Sequence, residues 1–216
     1  MMIEKLRKLN PELEIYSIRD EQFRKYGNVL NMNTQEIVDA CRKLTFPETG
    51  SEYIASVDNL ENLEMSEDLR QVMFGGCPAQ IGITHGYNNF MNGLEYHKCS
   101  EINVAATPLC LILGLQYEMD GTEYDSSKVK VFYLEKGDAV EVYSTSLHFC
   151  PCQVSDDGFS CVVVLAKDTN TLLDNPTEDK LLFKKNKWII CHDKNQELIE
   201  RGVYPGIHGV NYEIKY

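Results

Sequence analysis

The chain has 216 residues, of which 43% are hydrophobic and 25% charged, ordinary values for one globular domain or one domain with an extension. Its formal net charge of -12 argues against a nucleic-acid backbone as the main partner, because phosphate contacts need clustered Lys and Arg. The same charge argues against an anionic membrane surface. We therefore expect neither nucleic acid nor membrane as a partner.

The N-terminal third is predicted to be helical or irregular. The opening stretch MMIEKLRKLNPELEIY is a short amphipathic segment and not a signal peptide, and no run approaches the roughly 18 apolar residues that span a bilayer. NTQEIVDACRKL begins with an N-cap Asn and has apolar residues at helical spacing. SEDLRQVMFG predicts another short helix or turn. We assign residues 1–77 to an extension that covers a barrel mouth or forms a homodimer contact.

Cysteine usage indicates a reducing compartment. Without a secretory signal, the eight cysteines are expected to be free thiols, which predicts a cytoplasmic protein. Cys150 and Cys152 form a C-x-C, but no second pair stands at zinc-site spacing, so a structural zinc is not expected.

From residue 78 onward the sequence predicts an all-β domain. Short stretches rich in Val, Ile, Tyr and Phe, such as AQIGITHGY, LCLILGLQYEM and FSCVVVLAK, are separated by turn sequences such as EKGD and SDDG. About eight or more strands at this spacing are typical of an antiparallel sandwich or barrel. We predict a mainly β fold over residues 78–216, packed with the N-terminal extension as one folding unit.

The stretch GLEYHKCSEINVA places several ionisable groups where strands are predicted. Glu95 and His97 point to the same face if this segment is a strand, and Glu101 can join them from the start of the next strand. Burying a carboxylate and an imidazole together is costly unless something satisfies them, and a divalent metal does so. A second stretch, KGDAVEVYSTSLHFCPC, carries His148 in strand-like sequence eleven residues after Gly137.

These two stretches resemble the two motifs of the cupin family, G-x5-H-x-H-x3,4-E-x6-G and G-x5-P-x-G-x2-H-x3-N. On the first motif, Glu95 stands at the first histidine, His97 at the second and Glu101 at the glutamate; on the second, Gly137 and His148 stand at the glycine and histidine. The departures from the motifs are Asn89 and Pro108 at glycines of the first, and Tyr143, Thr145 and Cys152 at the proline, glycine and asparagine of the second.

The whole chain is similar to an uncharacterised bacterial family of cupin-like proteins within the RmlC-like cupin superfamily. GLEYHKCSEINVA, LHFCPCQVSDDGF, CVVVLAKDTNT and GVYPGIHGVNYEIKY carry this similarity. The resemblance implies a cupin-type antiparallel β-sandwich or barrel, a jelly roll. It also implies one divalent ion (Zn, Mn, Ni or Fe) held by Glu95, His97, Glu101 and His148.

Four further residues are predicted to bind a small polar substrate: His85, Asn92, Lys98 and Tyr143. Each has an ordinary structural alternative. His85 can be a satisfied histidine, Asn92 a turn residue, and Tyr143 a packed ring with its hydroxyl at the rim. Lys98 has opposite strand parity to His97 and is expected to point outward. The basic cluster Lys184, Lys185 and Lys187 fits either a solvated edge strand or a site for a sugar phosphate or carboxylate.

The resemblance and the carboxylate-rich ligand set lead to a functional hypothesis. A metal with open positions can bind two neighbouring substrate oxygens, and a carboxylate can then move a proton between adjacent carbons. We expect an isomerase or epimerase acting on a small sugar or sugar acid, with Glu95 or Glu101 as the catalytic base. Two alternatives stay open: a metal-dependent dioxygenase, and a non-catalytic module that binds a sugar or a metal.

Overall fold

The computed structural model describes residues 1–216 as three β-sheets with short helices packed outside them. The α-helices are α1 (Met2–Leu9), α2 (Gln35–Cys41), α3 (Asp58–Glu61), α4 (Glu64–Asp68) and α5 (Gln196–Glu200). None of the helices is long and apolar enough to cross a bilayer. The strands are β1 (Ile15–Ser17), β2 (Gly27–Val29), β3 (Ser51–Ile54), β4 (Ala79–Gly86), β5 (Gly93–Tyr96), β6 (Glu101–Ala105), β7 (Leu109–Leu115), β8 (Tyr124–Asp125), β9 (Lys130–Leu134), β10 (Ala139–Val142), β11 (Ser146–Leu147), β12 (Cys152–Gln153), β13 (Phe159–Ala166), β14 (Leu182–Lys184), β15 (Lys187–His192) and β16 (Tyr204–His208).

The largest sheet has the strand order β2-β10-β6-β13-β4-β3, and all of its neighbouring strands are antiparallel. Side chains on one of its faces, including Ile102, Val104 and Val162, form an apolar cluster with Ile37 of α2 and Leu60 of α3. Burial on both faces explains why β13 is an almost unbroken apolar run rather than an alternating one.

The second sheet faces the first across an apolar layer. Its order is β1-β9-β7-β11, with β12 also paired to β7, and β1 is parallel to β9. Leu111 and Phe132 of this sheet pack with Val140, Val142 and Phe159 of the first. The mainly β sandwich predicted from the sequence is therefore confirmed, because two facing sheets enclose a continuous core.

The third sheet has the order β14-β15-β16-β8, with β5 paired to β15. It brings Glu95 of β5 beside Lys187 and Ile189 of β15. These residues line a cavity together with Glu101 and Asn103 from the large sheet. The candidate site therefore lies between the third sheet and the polar end of the large sheet.

The first 77 residues contribute strands as well as helices. Strand β1 pairs with β9, β2 with β10 and β3 with β4, so this segment extends two of the three sheets. Strands of three or four residues are too short to show a period-2 pattern, which is why the sequence indicated only helix and irregular chain there.

Candidate metal centre

Four ionisable side chains predicted from the sequence lie together. Glu95 is in β5, His97 directly follows that strand, Glu101 begins β6 and His148 directly follows β11. The two motifs are joined by a pair of backbone hydrogen bonds: the Glu95 N–H donates to the His148 carbonyl at 2.6 Å, and the His148 N–H donates to the Glu95 carbonyl at 2.9 Å. This bridge fixes the register that brings both histidines to one point.

Glu101 stands between the two imidazoles. Its Oε2 is 3.5 Å from His97 Nε2 and 3.3 Å from His148 Nε2. Glu95 Oε1 is 3.8 Å from His97 Nε2, and the two imidazole centroids are 5.2 Å apart. All four side chains are buried. One ligand atom from each of Glu95, His97 and His148 lies within 4.8 Å of the other two.

Hydrogen bonds on the far sides of the rings orient both histidines for ligation. His97 Nδ1 lies 2.6 Å from the Asn186 carbonyl oxygen, and His148 Nδ1 lies 3.2 Å from the Ser146 carbonyl oxygen. Because a carbonyl can only accept, each Nδ1 carries a proton, and in the neutral imidazole each Nε2 presents its lone pair to the cluster. Both Nε2 atoms are buried without a well-formed hydrogen bond.

Lone pairs of two imidazoles and two carboxylates thus face one another away from water. Such acceptors repel unless a cation lies among them. A nitrogen and oxygen donor set of this kind suits a divalent first-row metal without selecting sharply among Mn, Fe, Ni and Zn. The residues present therefore fit a metal ion, and the chemistry of the donor set is the reason.

The charges of the cluster are strongly coupled. Burial alone would raise the pKa of Glu101, but His148 and His97 outweigh it and hold that pKa far below its usual range. Burial alone would lower the pKa of His148, but the adjacent Glu101 carboxylate raises it above its usual value. Asn103, two residues along β6 from Glu101, donates from Nδ2 to Glu101 Oε1 at 2.6 Å and keeps that carboxylate oriented.

Lys187 completes the charge pattern from the neighbouring strand. Its Nζ forms an ion pair with Glu95 Oε2 and lies 5.8 Å from the centre of the Phe149 ring. The lysine side chain is 15% exposed and the Glu95 side chain 11%. Lys185, in the same basic cluster of the sequence, pairs instead with Asp174 at the surface. Only one lysine of that cluster therefore contacts the candidate ligands.

The cluster forms part of the wall of a cavity of about 540 Å³. This volume falls in the range of small-molecule sites, roughly 300–1,000 Å³. Its lining is mixed: Glu95, Glu101, His148 and Lys187 stand at one side, while Phe149, Val163, Leu165, Phe183 and Ile189 supply apolar surface. His97 lies behind this wall and is almost completely buried.

Among the residues predicted to bind substrate, only Asn92 lines the cavity. Its side chain is held at the rim, since Asn92 Oδ1 accepts from the amides of Asn195 and Asn211. His85 is buried and does not line the cavity itself, although its Nε2 lies 3.0 Å from Oε1 of Glu52, which does.

The remaining two predicted residues also lie away from the cavity. Lys98 is exposed, as its outward strand parity suggested, and its Nζ is 4.8 Å from the centre of the Trp188 ring. Tyr143 is half-buried at the end of β10, where its backbone N–H donates to the Tyr26 carbonyl at 2.9 Å.

Several polar residues of the cavity were not predicted, among them Asn103, Tyr53 and Asn170. Asn103 could have been found, because it shares strand parity with Glu101 two residues earlier. Tyr53 and Asn170 come from segments far from either motif, and only the folded sheets bring them to the site.

The fold and the buried cluster define a β-sandwich protein with a candidate site for a divalent metal. The chain belongs to the family described as Domain of unknown function (DUF4867), whose family model matches residues 15–212. No curated protein matches the chain in sequence.

Solved structures of oxalate decarboxylase are similar to part of the chain. One, from work on proton-coupled electron transfer, is 10% identical with a TM-score of 0.37 and aligns over 56% of this chain and 27% of its own. The Bacillus subtilis enzyme, described with Mn(II) centres, is 9% identical with a TM-score of 0.36, over 59% and 29% of the two chains. The same enzyme at pH 4.6 is 10% identical with a TM-score of 0.34, over 56% and 26%. This chain thus spans less than a third of those proteins, and the similarity is too low to indicate a shared function.

Proposed function

We propose that this protein is a metal-dependent enzyme that moves a proton between adjacent carbons of a small sugar or sugar acid, as an isomerase or epimerase. One observation carries the proposal. Two buried imidazoles, each fixed through Nδ1 to a carbonyl, direct unpaired Nε2 atoms at Glu101 and Glu95 on the wall of a polar cavity. That arrangement supports one divalent ion beside a space for a small polar substrate.

The distances suggest different roles for the two glutamates. Glu101 is close to both imidazoles, so His97, His148 and Glu101 are the proposed primary metal ligands. The ion would supply Lewis acidity that polarises a substrate carbonyl. Glu95 contacts only one imidazole at 3.8 Å and directs its other oxygen to Lys187. It can therefore serve either as a fourth ligand or as the base, and we assign it the base role.

Glu95 suits proton transfer because its carboxylate lines the cavity beside the other candidate ligands. A carboxylate there can take the proton from the carbon next to a carbonyl and return it to the neighbouring carbon. Lys187 holds the carboxylate in place and balances its charge. The apolar lining from Phe149 and Ile189 limits access of water to the exchanging proton.

The Glu95–Lys187 ion pair also favours a second candidate function. If Lys187 keeps Glu95 away from the metal, the remaining ligands are two histidines and one carboxylate, the pattern of non-haem iron oxygenases. Iron as the bound metal together with substrate-dependent oxygen uptake would identify that activity.

The proposal is tested by incubating metal-loaded protein in deuterium oxide with a panel of sugars and sugar acids. We expect deuterium at the carbon next to the carbonyl of at least one compound, and a loss of about 100-fold or more in Glu95→Gln. Glu200→Gln, which changes an exposed carboxylate outside the cavity, is the matched control and should keep wild-type exchange. Absence of exchange with every compound, or equal exchange in Glu95→Gln, would contradict the proton-transfer mechanism.

A further inference from the structure

A second polar cluster of the cavity contains a phenol whose proton has no acceptor in the protein. Tyr53 of β3 lines the cavity, and its oxygen accepts a hydrogen bond from Gln80 Nε2 at 3.2 Å. The same Gln80 amide donates to the Thr169 carbonyl at 3.1 Å, which fixes the donor. Tyr53 donates no side-chain hydrogen bond, so its O–H is available to a ligand.

The neighbouring Asn170 supplies the complementary group. It lines the same cavity, and its Oδ1 is buried without a hydrogen-bond partner. Its backbone has φ of 71°, a left-handed conformation that asparagine tolerates better than most residues. A buried amide oxygen left unpaired is destabilising, and a ligand group that donates to it would remove this cost.

The turn that carries Asn170 is joined rigidly to a metal-ligand candidate. The Asn170 N–H donates to the Lys185 carbonyl at 3.0 Å, and the Asn186 amide donates to Thr169 Oγ1 at 2.8 Å. The carbonyl of that same Asn186 accepts from His97 Nδ1. The position of Asn170 relative to the candidate metal centre is therefore set by a short chain of hydrogen bonds.

Both groups of this cluster are uncharged. Burial raises the pKa of Tyr53 to about 12, although the nearby side-chain amides of Gln80 and Asn170 act in the opposite direction. The phenol consequently stays protonated and remains a donor at neutral pH. The negative charges of Glu101 and Glu95 act on it from the same cavity, so an anionic ligand group would be repelled here.

We propose that Tyr53 and Asn170 form a subsite for an alcohol hydroxyl of a polyhydroxy ligand. A hydroxyl has both capacities that the pair requires, since it can accept from the Tyr53 O–H and donate to Asn170 Oδ1. The subsite makes these residues determinants of specificity that distinguish a hydroxyl from hydrogen at one ligand carbon. The inference deepens the proposed function and rests on it for the cavity being the substrate site.

The test measures ligand binding to the metal-loaded protein. Binding is monitored by saturation-transfer NMR in titrations with xylitol, ribose, xylose and fructose. We expect at least one of the four to bind wild type, and Tyr53→Phe and Asn170→Gly each to weaken it about three- to tenfold. Asn170→Gly deletes the amide while keeping the left-handed backbone. Asp168→Gly is the matched control, because Asp168 has φ of 69° in the same turn but is exposed and outside the cavity, and it should bind like wild type.

Two results would overturn the subsite: binding of none of the four compounds to wild type, or unchanged affinity in both Tyr53→Phe and Asn170→Gly. Metal content measured on the same samples separates this failure from failure of the proposed function. Metal bound with no hydroxyl compound bound contradicts the subsite alone. Hydroxyl binding that depends on Tyr53 and Asn170, in a protein that takes up no metal, contradicts the metal-dependent function alone.

Discussion

Replacing Lys187 with methionine should destabilise the metal-free protein much more than the metal-loaded one. The substitution keeps an unbranched side chain, one atom shorter, but removes the cation beside Glu95, whose side chain is only 11% exposed. Removing one partner of a buried ion pair costs about 3–5 kcal/mol, because the other charge stays buried and uncompensated. A bound divalent ion would compensate Glu95 instead, so the loss should shrink to about 1–2 kcal/mol in the loaded protein.

The assay is urea unfolding of wild type and Lys187→Met, with chelator and with metal. A loss of about 3 kcal/mol corresponds to a fall of about 6–12 °C in Tm for a chain of this size. Lys185→Met is the matched control, since Lys185 pairs with Asp174 at the surface and should cost about 0.5 kcal/mol or less. An equal loss with and without metal would refute the idea that the ion and Lys187 compensate the same carboxylate.

Three other predictions follow from the site and its surroundings. Metal affinity should fall about tenfold per pH unit below the raised pKa of His148, because a proton then competes for Nε2; competition titrations across pH check this. Asn103→Leu should weaken metal binding about 10- to 100-fold by releasing Glu101, as measured by calorimetry, and unchanged affinity would remove Asn103 from the site. Gly82→Ala should cost about 1–3 kcal/mol, because its new Cβ would lie 2.2 Å from the Ile54 carbonyl oxygen of β3. Urea unfolding checks that cost, and wild-type stability would contradict it.

Much of the fold could be predicted from the sequence because its signals are local. The apolar run of β13 and the alternation of β6, flanked by turn sequences, indicate strands directly. Strands β1, β2 and β3 could not be predicted, since three or four residues define no period and their formation depends on pairing with distant strands.

The candidate ligands could be predicted for a similar reason. Glu95 and His97 share strand parity, and the spacing from Gly137 to His148 fits the second cupin motif. The sequence could not distinguish Lys187 from Lys184 and Lys185, because only the pairing of β15 with β5 decides which lysine contacts Glu95. His85 was predicted near the substrate, but its parity on β4 directs it to the opposite face from Thr84, which lines the cavity.

The central claim is that His97 and His148 hold one divalent ion together with Glu101. The most direct measurement is elemental analysis of untagged wild type, His97→Ala and His148→Ala after supply of Mn, Fe, Ni and Zn. We predict about one equivalent of metal in wild type and loss of binding in both variants, since each removes an unpaired Nε2 from the cluster. A wild-type protein that takes up none of these metals, or variants that retain them fully, would contradict the account.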